Sequence, residues 1–100
     1  MYKIRLYTEA KEELEISAIH FKAISVELAN KFLNNVEYSI ELIRIKPLAF
    51  QKKYKNKREV PVKEFPFVII YELKKDFIDV LSVYHTSRNP KKKFRRKFKK

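Results

Sequence analysis

His85 and Arg88 stand in the run His85-Thr86-Ser87-Arg88-Asn89-Pro90, directly after a stretch of aromatic and β-branched residues. Imidazole can take or give a proton near neutral pH, and a guanidinium can hold two phosphate oxygens at once. With a further arginine they form a minimal metal-free kit for cutting RNA: a base for the 2′-hydroxyl, an acid for the departing 5′-oxygen, and cations for the pentavalent phosphorane. Arg58 is that further arginine if its strand shares a face with the end of the strand that delivers His85. Tyr84 and Tyr71 add rings that can stack on a base. The same run reads equally as a docking edge, with His85 bonded to backbone and Arg88 a surface cation.

Other chemistry is poorly supplied. His20 falls within the first predicted helix, off its main apolar stripe, and reads as structural or solvent-facing. Glu59, Glu64 and Glu72 lie among lysines and are expected in ion pairs rather than as bases, and Asp76 reads as a turn residue. The serines have no linked base and orienting acid, so no serine triad is expected. The chain has no cysteine, which removes thiolate metal sites, disulfides and a cysteine nucleophile. It has no glycine either, so a glycine-rich phosphate loop and a dinucleotide fingerprint are absent. No metal and no small-molecule cofactor are expected.

Charge is unevenly placed. The net charge is +12, with 24 basic and 12 acidic side chains in 100 residues. The last ten residues hold eight of the basic groups and no acid, among them Lys91, Lys92, Lys93, Arg95 and Arg96. A second cluster, Lys52, Lys53, Lys55, Lys57 and Arg58, precedes the last two predicted strands. Such a field favours polyanions or an acidic protein partner and makes binding fall with salt. Together with Tyr84, the four lysines and the tail cations are the candidate contacts to nucleic acid or another target. No apolar run approaches the ~20 residues that span a bilayer, and residues 1–7 lack a signal-peptide core, so a cytoplasmic protein that contacts no membrane is expected.

The elements that must position these groups can be read from periodicity. Residues 1–7 alternate Tyr2, Ile4 and Leu6 with Lys3 and Arg5, as a strand with one buried face does. Thr8 reads as a helix N-cap, and Glu9, Glu12 and Glu13 then load the first turns with the charge the helix dipole favours. Ala10, Leu14, Ala18, Phe21 and Ile24 share a face of this helix, which is expected to run about four turns. Ser25 caps a second helix, whose Ala29, Phe32, Val36, Ile40 and Ile43 recur at helical spacing until Pro47 forbids continuation. A polar, basic connection through Lys57 leads to strands at 58–63, 65–73 and 77–84, the last two joined by Lys74-Lys75-Asp76. Pro61 removes a ladder donor and points to an edge position. The order β-α-α-β-β-β predicts an α+β fold, a helical hairpin on one face of a mainly antiparallel four-stranded sheet, the other face partly open. Residues 1–90 are expected to form a single domain and residues 91–100 a basic tail.

This order, the segment from Val60 to Tyr71 (VPVKEFPFVIIY) and the ending from Val80 to Pro90 (VLSVYHTSRNP) resemble the RelE/ParE superfamily of bacterial toxins. The resemblance covers nearly the whole chain, and its specific part is the Phe-Pro-aromatic opening and the His-x-x-Arg-x-Pro close. It implies a growth-inhibiting toxin of a type II toxin–antitoxin module, neutralised by a cognate antitoxin. RelE-type members cut messenger RNA in the ribosomal A site, whereas ParE-type members inhibit DNA gyrase and are not known for a catalytic centre of their own. Phe67 stands where the RelE-type strand carries an arginine, Thr86 lies near the position of a second, and Phe94 is the nearest aromatic to the expected C-terminal tyrosine. Arg58 matches one RelE-type basic position. The resemblance therefore implies a ParE-like toxin acting on gyrase first. A ribosome-dependent, metal-independent endoribonuclease using His85, Arg58 and Arg88 comes second, and a basic nucleic-acid-binding domain third.

Overall fold

The computed structural model describes residues 2–87. Strand β1 (Lys3–Leu6) leads into helix α1 (Thr8–Ile24) and helix α2 (Val26–Ile45), followed by β2 (Lys52–Tyr54), β3 (Lys57–Pro61), β4 (Phe67–Leu73) and β5 (Phe77–His85). The strands form one sheet in the order β1-β5-β4-β3-β2, antiparallel throughout except for the parallel pair β1 and β5. The sheet thus has five strands rather than four. The extra one, β2, lies in the stretch expected to be a basic connection. Its three exposed residues have no apolar alternation to betray them, and pairing with Lys57 and Arg58 alone makes them a strand.

Helix termini follow local chemistry closely. Helix α1 runs 17 residues, a little longer than expected, and its N-cap is Tyr7 in extended backbone, so Thr8 is the first helical residue rather than the cap. Ser25 is extended and its hydroxyl accepts from Leu28 N at 3.1 Å, which satisfies one of the first orphan amides of α2. Ser25→Ala is expected to lower stability by about 1 kcal/mol in urea unfolding. Helix α2 stops at Ile45, with Lys46 as C-cap and Pro47 next. Among the described residues of this glycine-free chain, Lys55 (φ 51°) in the β2–β3 turn and Glu64 (φ 67°) in the β3–β4 turn adopt left-handed backbone. At the second turn α2 supplies compensation: Asn35 Nδ2 donates to Lys63 O at 2.9 Å, and Lys31 pairs with Glu64 at 3.3 Å, holding its carboxyl below the usual range.

The main core lies between the helices and one sheet face, joining Ala10, Phe32, Val36 and Ile43 to Val60, Ile69, Tyr71, Ile78 and Val80. Within it, Phe21, Phe32, Phe65 and Phe67 pack with ring centroids 4.9 to 6.2 Å apart. The expected stripe of α1 holds through Phe21 but not at Ile24, which is exposed at the helix end. On the opposite face Val68, Ile70, Leu81 and Tyr84 are buried, so that face is not open at these positions.

Two buried carboxylates tie β5 to its neighbours, Asp79 to β1 and Glu13 to α1. Asp79 on β5 is fully buried and accepts from Arg5 Nε at 2.7 Å, Arg5 Nη2 at 3.1 Å and the Tyr7 hydroxyl at 3.2 Å, which fastens β1 alongside β5. Ser82 pairs with Ile70 and Val80 with Tyr71, which leaves Leu81 as the extra residue of a β-bulge. Beside the bulge, Glu13 Oε1 accepts from the Ser82 hydroxyl at 2.7 Å and from Val83 N at 3.3 Å. Glu13, expected as a partner of the helix dipole, is also a buried link between α1 and β5.

Candidate functional site

β5 brings His85 to the end of the sheet, opposite Phe67 at the start of β4. Thr86 secures this corner, its amide and hydroxyl both donating to Pro66 O at 2.8 and 3.1 Å. The His85 ring stands edge-on to Phe67, with centroids 4.9 Å apart. Its Nδ1 accepts from Ser87 N at 3.1 Å and lies 2.6 Å from the Ser87 hydroxyl. A cleft of about 300 Å³ opens there, walled by Ile16, Phe21, Pro66 and Phe67, with Ser17, His20 and His85 as its polar lining. His20 thus belongs to the surface that carries His85. Glu13, Ser17 and His20, spaced at i, i+4 and i+7, form a polar row on α1 that a search for apolar stripes passes over.

Arg58 is elsewhere. It pairs with Tyr71 in mid-sheet, while His85 pairs with Phe67, four residues back along β4. Strand geometry puts the two roughly 13 Å apart along the strands and roughly 10 Å across them. Arg58 Nη1 is also committed to Phe50 O at 2.6 Å, and the neighbouring Tyr71 hydroxyl donates to Pro47 O at 2.7 Å. Both bonds fasten the α2–β2 connection to the sheet. The structure therefore gives Arg58 a backbone to hold, and does not bring it to His85; Arg88 lies outside the described residues.

Burial pushes the Tyr71 phenol up to about 12, a rise that Arg58 partly opposes. A raised folded-state pKa means the neutral phenol is favoured by folding. Its contribution is complete below about pH 10 and is lost as pH rises toward about 12, where the unfolded chain binds fewer protons. Tyr71→Phe is expected to lower stability at neutral pH by about 1 kcal/mol, through the lost bond to Pro47. That deficit should shrink above about pH 10 in urea unfolding, because the variant has no phenol to ionise.

The remaining candidates separate into exposed and enclosed groups. Lys52, Lys53 and Lys55 are exposed on β2 and its turn, and among the described residues none has an ion pair. Lys55 and Lys57 place their ammonium groups 5.3 and 5.9 Å from the centre of the half-exposed Tyr54 ring. Lys57 also pairs with Glu72 at 3.6 Å, and Glu72 binds Lys74 at 3.0 Å, raising the lysine's pKa. Tyr84 is buried and has no free ring face to offer. Lys91, Lys92, Lys93, Arg95 and Arg96 lie outside the described residues. Among the described residues no group of three or more His, Cys, Asp or Glu is placed to hold a metal ion. No described helix is long and apolar enough to cross a membrane.

Comparison with known proteins agrees with the fold. Residues 4–90 match the family described as ParE toxin of type II toxin-antitoxin system, parDE. A solved chain of the chromosomal ParDE TA system from P. aeruginosa superposes with a TM-score of 0.74 at 15% sequence identity, covering 87% of this chain and 98% of that one. A search of the curated proteins finds no match. With the family match spanning nearly all of the strand, helical hairpin and sheet described above, this chain belongs to the ParE toxin family.

Proposed function

We propose that this protein arrests growth by binding DNA gyrase, and that a cognate antitoxin holds it silent in the cytoplasm. The observation that carries the reading is the ParE family match over residues 4–90. Geometry supports a binder over a nuclease, because Arg58 bonds to Phe50 O and is remote from His85. The exposed β2–β3 turn, with Lys52, Lys53 and Lys55 around Tyr54, and the basic tail at 91–100 are the proposed contact surfaces for gyrase or its DNA.

Inducible expression tests this in cells. Filamentation and a DNA-damage response with messenger RNA left intact are expected, all suppressed by co-expressed antitoxin. Rapid messenger RNA cleavage would move the chain to the ribonuclease reading. Growth unaffected by expression, with nucleic-acid binding lost on deleting residues 91–100, would leave a simple nucleic-acid-binding domain.

A further inference from the structure

The bond from Ser87 N to His85 Nδ1 decides what the imidazole can do. A backbone amide only donates, so Nδ1 must present its lone pair, and the neutral ring then carries its proton on Nε2. The Ser87 hydroxyl, 2.6 Å from the same nitrogen, can donate to it as well. Packing against Phe67 sets the ring plane. In this arrangement the basic nitrogen is occupied, and Nε2–H has no acceptor among the described residues. Among the described residues His85 is thus a positioned donor without an acceptor.

The cleft around it indicates the acceptor's chemistry. Its walls are Ile16, Phe21, Pro66 and Phe67, and among the described residues no lysine or arginine lines it. The described lining offers a phosphate no cation, whereas an apolar side chain next to a carboxylate would find both apolar walls and a donor. Apolar surface continues outward along α1 through Ile16 and Ile19, which are 64% and 62% exposed. The chain's net charge of +12 draws an acidic partner towards it at longer range. We infer that the His20–His85 cleft seats an acidic, apolar segment of the antitoxin, with a carboxylate accepting from His85 Nε2–H and His20 as a flanking donor. Ser87 acts as a positioning residue, through the tautomer it enforces. The inference rests on the antitoxin-partner reading.

Two measurements on the full-length chain test it. A two-bond ¹H–¹⁵N spectrum of the toxin should show the His85 proton on Nε2, and the His85 signals should move when the co-encoded antitoxin is added. Calorimetric titration with that antitoxin should show binding weakened by about tenfold or more for His85→Phe, which keeps the packing on Phe67 but removes the donor. Glu41→Gln, on the exposed side of α2, should bind as the unaltered chain does. A proton on Nδ1, or unchanged affinity in His85→Phe, overturns the inference while leaving the antitoxin reading intact. His85 signals that move with a single-stranded oligonucleotide instead of the antitoxin overturn the peptide assignment. Failure of the unaltered chain to bind any antitoxin overturns both.

Discussion

Phe32→Ala is expected to destabilise the protein by about 3–5 kcal/mol, a large part of the ~5–15 kcal/mol that holds a small domain together. Phe32 is fully buried, and its ring packs against Phe21, Phe65 and Phe67 at 4.9 to 5.3 Å. These rings come from α1, α2, the β3–β4 turn and β4, so no single neighbour can relax into the void without moving an element. The effect should reach the cleft as well, because Phe67 is the surface against which His85 stands. Urea unfolding measures the loss. A deficit under 1 kcal/mol would mean that the aromatic cluster is not the packing centre.

Arg5→Leu is expected to lower the denaturant midpoint strongly, for an electrostatic reason. Asp79 is fully buried and receives two bonds from the Arg5 guanidinium, which also lies 3.9 Å over the Phe77 ring. Removing the guanidinium leaves the carboxylate with the Tyr7 hydroxyl as its side-chain partner among the described residues. The double change Arg5→Leu with Asp79→Leu should recover much of the loss, because the buried charge goes with its partner. Denaturant midpoints of the two single variants and the double variant give the coupling directly. Additive losses would show that the pair is not coupled.

Much of the scaffold was legible because local signals agreed with tertiary ones. The cap at Ser25, the stop at Pro47 and the row Phe32, Val36 and Ile43 define α2, and the dense apolar strands around Lys74-Lys75-Asp76 define the β4–β5 hairpin. What escaped depends on neighbours distant in sequence. β2 is a strand because β3 lies beside it, and Glu13 is buried because a bulge in β5 turns two donors toward α1. The site divides the same way. His85 could be picked from its place at a strand end, but its companion His20 is about 65 residues away in sequence, and only the packing of α1 over β5 joins them. Arg58 matched by type and position along the chain, yet register places it in mid-sheet with a carbonyl to hold.

The central claim is that this ParE-family chain acts by binding gyrase rather than by cutting RNA. A supercoiling assay with purified gyrase and the full-length protein tests it most directly, run beside a ribosome-programmed messenger RNA cleavage assay. The account predicts inhibited supercoiling, relieved by prior addition of antitoxin, and intact messenger RNA. Unaffected gyrase together with cleaved messenger RNA would contradict it.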